Sequence, residues 1–210
     1  MPARKEPQSI PDQGGSGDED PNKHHVELML RVKKGDIPAF EELIEIHQMA
    51  VIGTIAKMMG NPSDAEDLAQ QVFVRIWKSA SRYEPRAKFT TWLFTITRNL
   101  VFNEMRRRYR KHEVSMEAAQ EEYHILLPDK NNPRPDDAAL HEELQRAIDA
   151  AIDKLPEKQR LAVILRRYEN LPYEEISVVL DLSVSAVKSL LFRARTDLRE
   201  HLKAYLEEDA

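Results

Sequence analysis

Residues 175–195, EISVVLDLSVSAVKSLLFRAR, carry the strongest information about the fold of this chain. The first half is rich in β-branched residues, which favour strands, whereas the second half carries basic residues at a spacing that suits a helix. On a helical wheel that starts at Val184, one arc of about 80° collects the apolar side chains of the second half, namely Val184, Val187, Leu191, Ala194 and Leu198. This single stripe predicts a helix from Val184 with one buried side.

A shorter helix precedes the one at Val184. The pattern of residues 173–180 is helical, and residues 181–183 join the two helices. Asp181 tolerates the left-handed conformation that such a turn needs, and Ser183 is placed as an N-cap. The pair predicts a helix-turn-helix, which presents its second helix to the major groove of DNA. An ordinary helical hairpin with a solvated charged face is the alternative, because short loops commonly join helices.

The exposed side of the second helix combines short hydroxyl groups, one aromatic ring and cations. These groups suit the base edges and phosphates of a DNA groove. The ring favours DNA binding over the plain hairpin, because an exposed aromatic residue on so basic a helix more often has a partner. The residues on this side are Ser185, Ser189, Phe192, Arg193 and Thr196, with Lys188 and Arg195 near its border.

The composition excludes several classes of protein. The chain has 210 residues, a net charge of −5 and no cysteine, which excludes disulfides, thiol catalysis and cysteine-ligated metal. No apolar run approaches the roughly 20 residues that cross a bilayer, so we expect a cytoplasmic protein with no membrane insertion. The seven histidines are scattered, so neither a metal site nor another cofactor is expected.

The charges are segregated along the chain, which matters more for phosphate binding than their sum. Residues 75–112 hold eleven Lys and Arg residues against two acidic residues, Glu84 and Glu104, whereas residues 113–137 are acidic. The basic segment therefore predicts contact with nucleic acid in spite of the negative net charge.

The chain divides into two helical regions. Residues 1–25 have the polar, proline-containing composition of a disordered tail, and residues 113–137 form a flexible acidic linker. The pattern is helical over residues 26–112 and again over residues 138–206. We predict an all-α fold of two small helical domains that this linker joins.

The segment SDAEDLAQQVFVRIWKS, residues 63–79, predicts a helix with an unusual polar face. Ser63 and Glu66 have the spacing of a capping box, so the helix is expected to begin there. One side of this helix carries a stripe of apolar residues that is expected to be buried. Two further apolar residues, Val74 and Trp77, lie instead on the opposite, polar face. Either another helix of the same domain covers them, or this face binds a protein. The stripe holds Ala65, Leu68, Ala69, Val72 and Ile76, and the polar face holds Asp67, Gln70 and Gln71.

The segment FTTWLFTITRNLVFNEMRRRYRK, residues 89–111, predicts a long helix that ends in a basic run. Aromatic, hydroxyl and amide groups beside cations suit unstacked bases and phosphates. The alternative is a charge run that only meets water. The core stripe is expected to hold Phe89, Trp92, Leu93, Ile96 and Leu100, another face holds Thr91, Thr95, Arg98, Asn99 and Phe102, and the run holds Arg106, Arg107, Arg108, Arg110 and Lys111.

Taken in order, these segments resemble the alternative sigma factors of bacterial RNA polymerase that form the extracytoplasmic-function group (group IV) of the sigma-70 family. The resemblance covers about residues 26–206. It implies a region 2 domain over residues 26–112 and a helix-turn-helix region 4 domain over residues 138–206. The motifs in register are GDIPAFEELI (35–44), DAEDLAQQVFVRIW (64–77), YEPRAKFTTWLFTITRN (83–99), LPEKQRLAVILRRYENLPYEEIS (155–177) and the helix-turn-helix.

The resemblance also implies roles for individual residues. The helix over residues 64–78 is similar to the one that docks on the clamp helices of the polymerase, which implies contact through Asp67, Gln70, Gln71, Val74 and Trp77. Residues 83–108 are similar to the segment that melts and reads the −10 promoter element, which implies DNA contact by Arg98, Asn99, Phe102, Arg106, Arg107 and Arg108, with Trp92 in the core. The helix from Val184 is similar to the reader of the −35 element, which implies DNA contact by Ser185, Lys188, Ser189, Phe192, Arg193 and Arg195.

The implied function is transcription initiation without catalytic chemistry. The implied partners are core RNA polymerase, through its clamp helices and flap, promoter DNA and an anti-sigma factor. A stand-alone repressor or activator that uses only the helix-turn-helix is the competing hypothesis. The chain departs from such relatives at four positions: they usually have glycine at Asp181 and Ser185, and commonly arginine at Leu190 and an acid at Asn103.

Overall fold

The computed structural model describes residues 21–114 and 135–203, and the chain is all-α over these residues, as predicted. They form eight α-helices and one short 3-10 turn and contain no strand. The helices are α1 (Pro21–Val32), α2 (Ile37–Met59), α3 (Pro62–Ser79), α4 (Phe89–Val114), α5 (Pro135–Asp153), α6 (Glu157–Arg167), α7 (Tyr173–Leu180) and α8 (Val184–His201), and the turn is Ala80–Arg82.

Helices α1 to α4 form one bundle around α2. The 23 residues of α2 are apolar on nearly all sides, which is typical of a helix with neighbours on several sides. Helices α1, α3 and α4 all contact it. The inward residues Leu28, Leu43, Ile55, Val72 and Leu93 are at most 1% exposed.

Local sequence sets both ends of α2. At the start, Asp36 Oδ1 accepts a hydrogen bond from the Ala39 N–H at 3.1 Å, and Arg31 Nε donates to Oδ2 at 2.8 Å. These bonds, first the one from the backbone of Ala39, hold the pKa of Asp36 below its usual value. At the other end, Gly60 takes the left-handed conformation, with φ 73°, that ends a helix.

The predicted capping box at Ser63 is wrong. Helix α3 begins at Pro62, and its N-cap is Asn61, whose Oδ1 accepts the Ser63 N–H at 3.0 Å. Proline at the first helical position has a suitable fixed φ and lacks the N–H that would need a partner. The helix therefore starts before Ser63, and asparagine supplies the cap.

An aromatic cluster supports the start of α4. Trp92 packs against the core, as expected, with its ring 4.9 Å from that of Tyr83 and 5.9 Å from that of Phe89. His47 is 6% exposed, and its ring lies 5.1 Å from that of Phe89. Burial, followed by the nearby charge of His25, lowers the pKa of His47 to about 4, so its ring is neutral near pH 7.

The helix-turn-helix prediction is confirmed. Helices α7 and α8 are joined at Asp181, which takes the left-handed conformation with φ 55° and ψ 54°. Ser183 then caps α8, where its Oγ accepts the Ala186 N–H at 3.2 Å. Of the predicted stripe, Val187, Leu191 and Ala194 are buried, and Val184 and Leu198 are half-buried.

Helices extend into segments that were expected to be irregular. Helix α1 begins at Pro21, so residues 21–25 of the expected tail are helical. Helix α4 continues to Val114 and α5 begins at Pro135, so both ends of the expected linker are helical too. Propagation of an existing helix gains a backbone hydrogen bond for each added residue without a new nucleation cost. The rest of the expected tail, the linker residues 115–134 and residues 204–206 lie outside the described residues.

The N-terminal half (α1 to α4) and the C-terminal half (α5 to α8) contact each other directly, which the sequence patterns did not predict. Helix α4 packs on α7, and α2 packs on α6. The buried apolar residues of the two halves form one continuous cluster. The two halves are therefore joined by packing as well as by the linker.

Candidate protein- and nucleic-acid-binding surfaces

Helices α2 and α3 enclose an apolar groove of about 700 Å³, called here the α2–α3 groove. A concave apolar surface with a few polar groups at its edge is typical of a binding site. One wall includes Ile37, Phe40, Ile44 and Ile52 on α2, and the other includes Gln70, Val74 and Trp77 on α3.

The five residues implied to contact the polymerase are all exposed on α3. Val74 is 51% exposed and Trp77 39% exposed, although both are apolar. Helix α2 covers one side of Trp77, whose ring lies 5.0 Å from that of Phe40. Another helix of the same half therefore covers the two apolar residues only in part, and the rest of this face is open to a partner. The other three residues, Asp67, Gln70 and Gln71, surround it.

Sequence reasoning missed the α2 wall of the groove. Ile37 is 58% exposed and contributes to that wall. Because α2 is apolar on nearly all sides, no single stripe separates the residues that face the core from those that face the groove. Only the position of α3 decides which of them remain open.

The outer face of α4 brings together two of the predicted strand-contact residues. Arg98 donates from Nε and Nη2 to Asn99 Oδ1 at 3.1 and 2.6 Å. Phe102 is half-buried and packs against the core, so only part of its ring is accessible. A guanidinium beside an amide can bind base edges and phosphates.

The three arginines of the basic run have different partners. Arg107 forms two bonds of 2.8 Å to the Glu104 carboxylate. Arg108 bonds to Glu104 at 3.1 Å and to Asp64 at 2.8 Å, which ties α4 to the start of α3. The bond from Arg107, followed by that from Arg108, lowers the pKa of Glu104. Arg106 bonds instead to a neutral amide and a carbonyl oxygen of its own helix.

Helix α8 presents the six predicted DNA-contact residues on one exposed surface, called here the reading face. Phe192 is 68% exposed at its centre. A cleft of about 610 Å³ runs along this face and is closed on one side by Tyr173 of α7. The exposed residues are Ser185, Lys188, Ser189, Phe192, Arg193 and Arg195.

Residues 21–114 and 135–203 contain neither a metal-binding cluster nor a membrane-spanning helix. No group of three His, Asp or Glu side chains there is arranged to hold a metal ion. The rings of His25 and His47 lie 4.5 Å apart and pack edge to face as aromatic groups. No helix of this part of the chain is long and apolar enough to cross a membrane.

Two family models match the chain. The model described as Sigma-70 region 2 matches residues 43–111, and the model described as Sigma-70, region 4 matches residues 145–198. The ECF RNA polymerase sigma factor SigW of Bacillus subtilis is 32% identical over 187 residues, which are 85% of this chain and 99% of that protein. The chain belongs to the extracytoplasmic-function group of the sigma-70 family.

Another relative agrees with this family, and two solved structures are similar in fold. SigE of Mycolicibacterium smegmatis is 37% identical over 176 residues, which are 83% of this sigma factor and 65% of that longer protein. RpoE of Bartonella quintana, solved in complex with the anti-sigma factor NepR, is 24% identical with a TM-score of 0.67 over 80% of this sigma factor and 98% of that chain. CnrH, solved in complex with the cytosolic domain of CnrY, is also 24% identical, with a TM-score of 0.63 over 89% and 99%. These two likenesses support the fold.

Tyr173 is a residue of the sigma factor's reading face that sequence reasoning missed. Its hydroxyl oxygen accepts a hydrogen bond from Arg195 Nη2 at 3.1 Å, and the Arg166 guanidinium lies 5.3 Å from the centre of its ring. A helical wheel compares residues within one helix, whereas these three residues lie on α6, α7 and α8. No signal in the sequence joined them.

Leu190, the position at which the resemblance led us to expect arginine, lies beside the reading face rather than on it. It is 7% exposed and belongs to the core of the sigma factor. A side chain that packs there does not face a DNA groove. The departure from arginine therefore leaves the exposed residues of the reading face in place.

Proposed function

We propose that this sigma factor binds core RNA polymerase through the α2–α3 groove, melts and reads the −10 element with α4, and reads the −35 element with α8. Region 2 then corresponds to residues 26–112 and region 4 to residues 138–206. The observation that carries the proposal is the reading face, where a ring that is 68% exposed lies among cations and hydroxyl groups. In this family such a face suits promoter DNA. The protein acts by binding and has no catalytic chemistry of its own.

The groove is assigned to the polymerase because of its chemistry. An apolar surface of a partner would cover Val74 and Trp77, whereas Asp67 and Gln71 would meet polar groups around it. Protein interfaces commonly combine an apolar, aromatic centre with a polar rim. The clamp helices of the polymerase are the partner surface that family membership favours.

The melted −10 strand is assigned to the outer face of α4. Arg98 and Asn99 supply donors and acceptors for base edges and phosphates, and the accessible part of Phe102 supplies a stacking surface. In the basic run, Arg106 bonds to neutral groups and can turn to a phosphate at small cost. Arg107 and Arg108 must exchange a carboxylate for a phosphate.

The −35 duplex is assigned to the reading face. Arg193 and Lys188 can donate to base edges or phosphates, and Phe192 can contact a thymine methyl group. Arg195 is held by Tyr173, so less rotamer freedom is lost when it contacts DNA. The face therefore combines flexible and pre-positioned cations.

Two further parts of the proposal concern location and regulation. Polymerase and promoter DNA lie in the bacterial cytoplasm, so the sigma factor acts there. RpoE of Bartonella quintana is solved with the anti-sigma factor NepR. We infer that an anti-sigma factor also binds this chain.

The test of the function is RNA synthesis by core polymerase on a library of promoter sequences, with and without the sigma factor. We expect transcripts from a subset that shares −35 and −10 sequences, and only when the sigma factor is present. Equal transcription in both reactions across the library would overturn the proposal. Co-sedimentation with core polymerase distinguishes a sigma factor from a stand-alone repressor or activator. The latter would bind duplex DNA tightly and would not bind the polymerase.

Trp77→Ala tests the groove. Aromatic residues at the centre of an interface often contribute about 2 kcal/mol, so binding to core polymerase should weaken about 30-fold. Lys78→Ala, which removes the next exposed side chain of α3, is the matched control and should bind like the wild type. Circular dichroism follows the helix content. Lost helicity in the Trp77 variant would show that Trp77 is a core residue and not a contact residue.

A further inference from the structure

The first turn of the α4 face is covered by α7. Thr91 shares this face with Arg98, yet it is only 1% exposed, and its Oγ1 donates to Glu175 Oε2 at 2.9 Å. The other carboxylate oxygen of Glu175, Oε1, lies 2.8 Å from Lys88 Nζ. One carboxylate of the C-terminal half therefore binds a hydroxyl and an ammonium group at the edge of the proposed −10 surface.

Lys88 and Thr91 together have the chemistry of a phosphate site. An ammonium group and a hydroxyl group that reach the two oxygens of one anion can do the same for a phosphate of the DNA backbone. Glu175 fills this position, and its side chain is only 15% exposed. While it stays there, Thr91 is covered, and Lys88, whose side chain is 55% exposed, is paired with a carboxylate that competes with phosphate.

Two other side-chain pairs between the halves have the same polarity as the Glu175 contact, whereas Arg160 Nη1 of the C-terminal half donates to the Met58 carbonyl oxygen at 3.2 Å. Thr54 Oγ1 donates to Glu169 Oε1 at 3.2 Å. Lys57 Nζ lies 3.3 Å from Asp149 Oδ1 and 4.2 Å from the centre of the Tyr168 ring. In these pairs, as at Glu175, the N-terminal half supplies the hydroxyl or ammonium group and the C-terminal half supplies the carboxylate. At Glu175, Glu169 and Asp149 the C-terminal half thus presents carboxylate acceptors to the N-terminal half, as a nucleic acid presents phosphates.

We propose that the free sigma factor holds itself closed, with Glu175 as an internal competitor of promoter DNA for a phosphate site formed by Lys88 and Thr91. The inference rests on the proposed function, because it needs α4 to bind the −10 strand. Closure and strand binding exclude each other at this site. When the two halves separate, α7 leaves α4 and the site becomes free for a phosphate.

The first test measures binding of a short fluorescein-labelled single-stranded DNA of random sequence to the free full-length chain, without polymerase. Glu175→Gln keeps the shape of the side chain but removes its charge, so this variant should bind about fivefold more tightly than the wild type. Glu174→Gln makes the same change in net charge at the exposed neighbouring residue and should bind like the wild type. Equal affinities of the two variants would overturn the proposal.

A second variant separates closure from DNA binding. Lys88→Gln removes both the partner of Glu175 and the proposed phosphate ligand. This variant should therefore separate the two halves without any gain in affinity for the single-stranded DNA. Tighter binding by Lys88→Gln would contradict the phosphate site.

Separation of the halves can be measured by energy transfer between two dyes. The chain has no cysteine, so Ser81→Cys and Glu200→Cys, one exposed position in each half, can be labelled without other changes. Glu175→Gln and Lys88→Gln should both lower the transfer, and Glu174→Gln should leave it unchanged. Unchanged transfer in Glu175→Gln would show that Glu175 does not hold the halves together.

These outcomes are distinguishable from failure of the proposed function. Promoter-dependent transcription is measured with polymerase, whereas the binding and energy-transfer measurements are made on the free chain. Absence of transcription together with tighter DNA binding by Glu175→Gln would reject the function and keep the closure. Normal transcription together with equal affinities of Glu175→Gln and Glu174→Gln would reject the closure and keep the function.

Discussion

The two helices proposed to contact promoter DNA differ in how open their surfaces are. On α8, Phe192 is 68% exposed and the cations beside it face solvent. On α4, Thr91 is covered by Glu175, and Arg107 and Arg108 are bound to carboxylates. The proposed −35 surface is therefore open in the free chain, whereas the proposed −10 surface must first exchange internal partners. The two helices carry similar cations and hydroxyl groups. Those of α4 are less available to DNA because nearby carboxylates compete with phosphate for the same donors.

The largest expected effect concerns the stability of the half that contains α4. The pKa of His47 is lowered to about 4, whereas histidine in an unfolded chain has a pKa of about 6.5. Because the folded state binds this proton less readily, stability is complete above the unfolded pKa and falls as the pH drops towards the folded one. We expect a loss of about 2 kcal/mol near pH 5 and about 3 kcal/mol near pH 4.

Urea unfolding near pH 7.5 and near pH 5 measures this loss. His47→Leu should remove most of it, because Nε2 of His47 has no hydrogen-bond partner and an apolar side chain can take its place. Gln48→Leu, at the exposed neighbouring position of α2, is the control and should keep the wild-type pH dependence. Among the described side chains of the C-terminal half no histidine is buried. If the acid-induced loss of stability arose in that half, the assignment to His47 would be contradicted.

A second prediction tests the open surface of α8. A good base contact contributes about 1–3 kcal/mol, so Arg193→Ala should weaken binding to a −35 duplex about 30-fold. Arg199→Ala, an exposed arginine in the last turn of the same helix, is the control. Since the reading face is open, the free chain should show the defect as clearly as the complex with polymerase. A defect seen only with polymerase would mean that α8 is also masked.

A third prediction compares two arginines of α4. Arg98 bonds to a neutral amide, so Arg98→Ala should slow formation of the melted −10 complex about tenfold, the effect of one charge-assisted hydrogen bond. Arg107 is bound to Glu104, so Arg107→Ala should have a smaller effect. Permanganate reactivity of unpaired thymines in the −10 element measures the melting. The reverse order of the two variants would show that the bond to Glu104 does not limit Arg107.

The smallest expected effect concerns Arg108, which joins α4 to α3 through Asp64. The pair is partly exposed, so Arg108→Ala should lower the free energy of unfolding by about 0.5 kcal/mol. Arg110→Ala, at an exposed position two residues further along α4, should leave stability unchanged. Thermal unfolding of the two variants measures the difference. If Arg108→Ala reduces DNA binding and leaves stability unchanged, its main role is phosphate contact.

Predictions that rest on residues close in sequence agree well with the structure. The turn at Asp181, the cap at Ser183 and the buried stripe of α8 follow from local hydrogen bonding and from helical periodicity. The start of α3 is the exception. Asn61 and Ser63 are both good caps, and the intervening proline decides between them.

For each of two candidate surfaces, the sequence predicted the residues of one helix and missed those of the neighbouring helix. The exposed residues of α3 and α8 were recognised because each lies on a single helical face. Their counterparts, Tyr173 beside α8 and the α2 wall beside α3, lie on other helices and were missed. A periodic pattern within one helix contains no information about the helix that will lie next to it.

Sequence alone determined the helices, the helix-turn-helix and the faces on which apolar and basic residues collect, because these depend on contacts within a few residues. Only the tertiary structure decided what covers each face. It placed Leu190 in the core, left Val74 exposed, and brought Glu175 to Thr91 across 84 residues of sequence. Such choices depend on which distant surfaces bury the most apolar area and satisfy each other's polar groups once the helices are packed.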